Sequence, residues 1–420
     1  LDNFTKNRLY YKKGGAIMSY VNRMKNRISK ALGEDKVQLV LKNVNIVNVF
    51  SGNIQNSCIA IDNGKIIGIG EYEGYEEIDL DGQYACPGLI DSHIHLESTM
   101  VTPNRLQEAL SIRGTTTLIC DPHEIANVKG IDGIEFMLEI TQALPMNFFF
   151  MIPSCVPATK FETSGSEINS SHVKQLISDP RILGLGEMMN YVGVINREDE
   201  VLKKFDICKE WIIDGHGPML EEKNLNAYMI NGVKTDHECS TINEMNSRID
   251  RGMYVAIREG SAAKNLDELI KGVSIHNKSR VMFCSDDKHP NDIISLGHID
   301  FNVRRAISLG IDPVIAIQMA TINPATCYNL RDIGAIAPGY DADIVIFDNL
   351  KDFNIKHVYK SGNLVSTNGN NLINIESIKT QKNMKSMNVK KIKIEDLKLK
   401  LDCDVVNVIG IEPKSLLTTL

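Results

Sequence analysis

Two periodicities alternate along the chain. From Val37 onward apolar and β-branched residues recur at every second position, first in VQLVLKNVNIVNVF and then in SCIAIDNGKIIGIG. This is the pattern of half-buried strands. The Asn63-Gly64 pair between the last two runs predicts a hairpin turn. The same period returns late, at residues 341–349 and 357–365. The flanks are therefore expected to meet in one small β-sandwich domain. Between them lie eight short, almost continuous apolar runs, among them TTTLIC, FFFMIP, ILGLG, WIID, YVAI and VMFCS, separated by helical stretches. They end near His93, Asp121, Ser154, Glu187, His216, Asp236, Glu259 and Asp286. Apolar strands alternating with helices imply a parallel sheet covered on both faces. Eight such units predict an α/β fold, a (β/α)8 TIM-like barrel, with polar residues at the carboxyl ends of its strands. A doubly wound sheet would call for a glycine-rich phosphate turn after the first strand, and none follows it.

The expected organisation runs as follows. Residues 18–85 begin the small β domain, 86–332 form the barrel, and 333–368 complete the small domain. Residues 369–420 are polar and then strand-like again in DVVNVIGIEPKSLLTTL; they read as a linker and the truncated start of a C-terminal domain. Residues 1–17 carry neither period and read as a non-native or disordered extension. Lys-Gly-Gly shortly before Met18 is what a ribosome-binding sequence encodes when translated in frame, so Met18 is the expected start.

Composition narrows the function classes. Of 420 residues, 43% are hydrophobic and 24% charged, an ordinary globular balance. No apolar run approaches the roughly 20 residues of a membrane helix, and no secretory signal is recognisable. A net charge of −7 argues against a nucleic-acid partner. Nine cysteines are scattered without a CxxC pair, as expected of reduced, buried thiols in the cytoplasm. A cytoplasmic homo-oligomer acting on a small molecule, with no membrane partner, is the expectation.

The candidate chemistry sits at the strand ends. In PGLIDSHIHLEST, His93 and His95 are two apart, so both imidazoles face one side of a strand and can reach one metal. Glu187 closes ILGLGE, His216 closes WIIDGH, His237 lies in VKTDHE, and Asp286 closes VMFCSD. Each alone would be an ordinary hydrogen-bonding residue. Together they bring four histidines and two carboxylates to one end of a barrel, where isolated charges would cost desolvation with nothing to offset it. Two divalent cations supply the reason: His93, His95 and Asp286 for one, His216 and His237 for the other, and Glu187 as the bridge.

This order of ligands resembles the binuclear pattern of the amidohydrolase superfamily. Many members bridge their metals with a carboxylated lysine, and a glutamate at that position resembles the adenine deaminase family. HIHLESTMVTP, DPHEIANVKGIDG, IDGHGPML, GVKTDHECST, GMYVAIREGSAAKNL and FCSDDKHPNDIISLGHID resemble it too, over residues 37–420. The resemblance implies hydrolysis of adenine to hypoxanthine and ammonia with iron or manganese; the donor set also suits zinc. Asp286 is then the general base, and Glu238 or Glu97 either protonates the purine ring or orients a neighbour. Asp121, His123 and Glu124 hold substrate, hold an extra metal, or orient His93 and His95. Arg258, Glu259 and Ser261 read as substrate contacts or as a structural ion pair. Asp287 and His289 read as supports of the ligands, and His298 as the start of a helix. Adenosine enzymes place a glutamate after a His-x-Gly; here Gly217, Pro218 and Met219 follow His216, which points to the free base. The rival readings are another amidohydrolase reaction, on a cyclic amide or N-acetyl group, and a non-catalytic barrel that binds without turnover.

Overall fold

The computed structural model describes residues 20–373, 389–411 and 418–419. The extension expected over residues 1–17, and residues 374–388 of the expected linker, lie outside the described residues. A helix, Tyr20–Ala31, comes first; its apolar positions are too sparse among polar residues to have been singled out. It leads into β1 (Val37–Val47), β2 (Ile54–Asp62), β3 (Lys65–Ile69), β4 (Gly74–Asp79) and β5 (Tyr84–Pro87). The β2–β3 hairpin turns at Asn63 and Gly64, with φ of 48° and 75°, the left-handed pair that such a two-residue turn requires.

Eight parallel strands follow: β6 (Leu89–Ile94), β7 (Thr115–Cys120), β8 (Asn147–Ile152), β9 (Ile182–Met188), β10 (Ile212–Gly215), β11 (Thr235–Asp236), β12 (Tyr254–Arg258) and β13 (Val281–Cys284). β6 to β10 pair in sequence, and so do β11 to β13. Two bridges, Ile213 to Val233 and Ile94 to Asp286, join these arcs into a closed (β/α)8 barrel. Alternation divides the strand residues between two cores. Ile90, Ile119, Met151, Ala256 and Met282 fill one cluster with Tyr328 and Leu330. Ile94, Leu118, Phe148, Phe150 and Leu185 belong to another, with Leu106 and Leu110 of the helix Pro103–Ser111. The continuous apolar runs arise because both faces of these strands are buried.

The chain then returns with β14 (Ile344–Phe347), β15 (Ile355–Lys360), β16 (Asn363–Thr367) and β17 (Asn370–Asn371). The run at 357–365 is broken by a turn at Ser361-Gly362, with φ of 47° and 74°. β14 pairs antiparallel with β5, so the flanks join in one nine-stranded sheet. Leu41, Ile46 and Ile61 from one flank share a buried cluster with Ile344, Ile346 and Tyr359 from the other. All nine cysteines are free. Among the described residues no helix is long and apolar enough to cross a membrane.

Candidate metal centre

His93 and His95 leave the end of β6 with their Nε2 atoms 3.1 Å apart. Both are buried, and Ile94 between them faces the outer core. Glu187, at the end of β9, divides its carboxylate. Oε1 lies 3.4 Å from His95 Nε2 and 4.0 Å from His93 Nε2, and Oε2 lies 2.7 Å from His216 Nδ1 and 3.2 Å from His237 Nε2. Asp286 follows β13 with φ of 57°, a left-handed conformation that aspartate tolerates better than most residues. Its Oδ1 lies 3.0 Å from His95 Nε2 and 3.6 Å from His93 Nε2. Its backbone N–H donates to His93 O over 2.9 Å, which stitches β6 to β13 at the site. The side chains fall into overlapping groups able to hold a cation: His93, His95 and Glu187; His93, His237 and Asp286; Glu187, His216 and His237.

The electrostatics fit cations. Burial pushes Glu187 up, yet hydrogen bonds from His123, His216 and His237 outweigh it and hold the carboxyl well below its ordinary range. Asp286 is likewise held low against burial by His93 and His95. Burial pulls His237 down, but its hydrogen bond to Glu187 lifts it to about 9. His93 moves the other way, to about 4, through burial and the neighbouring His237. Two buried carboxylates thus draw protons onto the imidazoles around them. That positive charge is what bound cations would supply instead.

Supports surround this centre. His95 Nδ1 lies 2.8 Å from the backbone oxygen of Asp121, whose Oδ2 accepts the N–H of Glu187 over 2.9 Å. Asp121 thereby holds His95 and Glu187, from two sides of the site. His123 Nδ1 reaches Glu187 Oε1 at 3.0 Å, and His95 Nδ1 is 3.6 Å from Glu124 Oε2. Glu97 accepts the N–H of Ile125 over 3.0 Å. Arg258 pairs with both Glu238 and Asp286. The polar contacts of Glu259 and Ser261 are local: Glu259 lies 3.6 Å from Lys264 Nζ, and the Ser261 hydroxyl donates to Asp292 and accepts the N–H of His289. Ser98 donates to Asp287.

Sequence reasoning missed two supports. Asp91 accepts the Ser285 hydroxyl over 2.5 Å and lies 2.9 Å from His298 Nε2, and so fixes β6 against β13. A charged residue inside an apolar strand was its signal. Tyr228 accepts the N–H of His216 and donates to Met188 O, each over 2.8 Å; nothing marked it within its helix.

Gly186 has a steric role in this arrangement. A Cβ there would lie 2.2 Å from Asp121 Oδ2. Gly186→Ala is therefore expected to displace Asp121, lowering stability by about 1–3 kcal/mol as overpacked cores do, and to weaken metal binding. Denaturant unfolding and elemental analysis check both; a variant equal to wild type in each would refute the packing argument.

Comparison with known proteins places these features. The model of the amidohydrolase family matches residues 84–365. The chain is 53% identical over 398 residues to an adenine deaminase of Clostridium acetobutylicum, covering 94% of this chain and 70% of that protein. It is 45% identical to adenine deaminase 2 of Carboxydothermus hydrogenoformans, covering 94% of this chain and 69% of that protein. An adenine deaminase of Desulfitobacterium hafniense is 48% identical over 81% of this chain and 60% of its own length. Among solved structures, an atrazine chlorohydrolase of Arthrobacter aurescens superposes with a TM-score of 0.59 at 15% identity, covering 80% of this chain and 97% of that one. A β-aspartyl dipeptidase of Fervidobacterium islandicum gives 0.57 at 17% identity, over 80% and 99%. At such identities these two structures speak for the fold alone.

Proposed function

The chain belongs to the amidohydrolase family and, within it, to the branch formed by the adenine deaminases, and from that premise we propose that its metal centre hydrolyses adenine to hypoxanthine and ammonia. The observation that carries this reading is the divided carboxylate of Glu187, one oxygen toward His93 and His95 and the other toward His216 and His237. On this reading His93, His95 and Asp286 hold one divalent ion, His216 and His237 hold a second, and Glu187 joins them. Imidazole and carboxylate donors suit iron(II), manganese(II) and zinc; the proposed pair is iron or manganese. When bound, such ions lower the pKa of a shared water and supply a nucleophile at neutral pH.

The remaining work falls to side chains. Asp286 accepts the proton released as water adds to C6 of the ring and delivers it to the departing amine. The ring nitrogen needs an acid. Glu238 lies against the Arg258 guanidinium, its Oε1 3.4 Å from His237 Nε2. Burial and the nearby Glu124 push Glu97 up to about 7, close to where a general acid works best. On this reading Glu97 protonates the ring, with Glu238 as the alternative acid. Free cysteines support a cytoplasmic setting. Exposed Met24, Ile28 and Leu32 offer an apolar stripe that a second copy could cover in a homo-oligomer.

The test is conversion of adenine by the protein reloaded with manganese or ferrous iron, with adenosine and cyclic amides beside it. Adenine should react and adenosine should not. Asp286→Asn, which removes a proton acceptor and weakens a ligand together, should lower kcat by about 10² or more. Turnover of a cyclic amide without adenine would overturn the assignment.

A further inference from the structure

Arg258 stands between two carboxylates of the site. It ends β12, is 5% exposed, and donates from Nη1 to Asp286 Oδ2 over 2.8 Å. The same nitrogen donates to Glu238 Oε1, and Nη2 donates to Glu238 Oε2 over 3.2 Å. Its own backbone N–H donates to Asn265 Oδ1 over 2.7 Å, while the Asn265 amide donates to the backbone oxygens of His237 and Cys239. Arg258 is thus pinned to the segment that carries His237 and Glu238.

We propose that Arg258 is a positioning residue for Asp286: by tying Asp286 Oδ2 to Glu238, its guanidinium leaves Oδ1 as the oxygen turned toward His93 and His95. Asp286 Oδ1 is the atom 3.0 Å from His95 Nε2, and Oδ2 is the atom on the guanidinium. An aspartate free to rotate about its last bond could turn its carboxylate plane away from the two imidazoles. Two neighbouring carboxylates also repel unless a cation separates them. A planar fork serves both in fixed directions, with Nη1 on both carboxylates and Nη2 as a second hold on Glu238; the ammonium of lysine is a rotatable point charge without that second nitrogen. Both terminal nitrogens of the guanidinium already hold these carboxylates, while its Nε is buried without a partner.

The inference rests on the proposed deaminase reading for its kinetic arm, so a second arm is independent of turnover. Arg258→Lys and Arg258→Ala are to be compared with wild type as full chains loaded with manganese for kinetics and with cobalt for spectroscopy. Both variants should keep two metal ions per chain. Their kcat for adenine should fall by about 10²-fold, the cost of misplacing a reacting group by about 1 Å, with KM little changed. Guanidinium at tens of millimolar should restore part of kcat in Arg258→Ala. The visible spectrum of the cobalt-loaded Ala variant should differ from wild type and move back toward it with guanidinium. A raised KM with kcat preserved would make Arg258 a substrate contact and overturn the proposal. So would loss of metal with no rescue, which marks a merely structural role. An unaltered cobalt spectrum would overturn it as well, whether or not the wild type deaminates adenine. Silence of the wild type on adenine with the spectral change intact would count against the deaminase reading alone.

Discussion

Glu187→Gln is expected to fold and to retain at most one of two metal ions. The native carboxylate offers an oxygen to each side of the site, 3.4 Å from His95 Nε2 on one and 2.7 Å from His216 Nδ1 on the other. An amide keeps the shape but has one oxygen. Its NH2 group would present hydrogens to whichever ion it faced. It also lacks the negative charge that, buried at 3% exposure, opposes five histidines. Removing one partner of a buried charged pair typically costs about 3–5 kcal/mol, which is about two to four orders of magnitude in affinity. Elemental analysis after dialysis reads the loss directly, and the melting temperature of the metal-free proteins separates it from unfolding. Two ions retained per chain would show that Glu187 does not bridge.

The variant's logic could be drawn up from the sequence because the ligands obey local rules. His93 and His95 share a face by the strand period, and Glu187, His216, His237 and Asp286 each end an apolar run. A run of apolar residues shows where a strand stops, and in a parallel barrel every strand stops at the same end. The eight runs correspond to β6 through β13. The Asn63-Gly64 hairpin was equally legible, because positive φ at both positions restricts the residues allowed there. The two-part small domain was legible from its period, whereas the pairing of β14 with β5 is a contact across more than two hundred residues that no local pattern encodes.

What stayed hidden was the partnership of residues remote in sequence. Arg258 read as a substrate contact or as part of a structural ion pair, and no local pattern named its partners, which the structure gives as Glu238 and Asp286. Ser261 was singled out beside it, yet its hydroxyl goes to Asp292. Asp91 escaped notice because its partners, Ser285 and His298, lie almost two hundred residues downstream. The helix Tyr20–Ala31 went unseen although Val21, Met24 and Ile28 recur at helical spacing, because few apolar residues mark it and they are exposed.

Metal binding is expected to strengthen steeply as pH rises from 6 to 9, and the stability that metals confer should widen over the same interval. In the metal-free site His237 titrates at about 9 because Glu187 outweighs its burial, and His95 and His216 are raised above their ordinary value too. An imidazole must surrender its proton before it can bind a metal. Each proton displaced therefore makes affinity about tenfold weaker per pH unit below that group's pKa. His93, held at about 4, gives up none. The effect on stability follows from the directions. For the metal-free chain, raising His237 from 6.5 to about 9 contributes stability that is fully present below 6.5 and lost as pH rises through 9. The depressed Glu187 and Asp286 contribute in the opposite sense, present above their ordinary carboxylate values and lost as pH falls through the folded ones. Between pH 6 and 9 the raised histidines lose their contribution in the metal-free protein, and the loaded one, with neutral imidazoles on metal, has no such loss; Glu97 and Asp214, both raised to about 7, weaken the two forms alike and leave the gap between them to the histidines. Thermal unfolding with manganese and with chelator at pH 6, 7, 8 and 9 should show Tm curves that diverge as pH rises. A gap that stays flat or narrows would mean that protons on these histidines and metal ions do not compete for the same nitrogens.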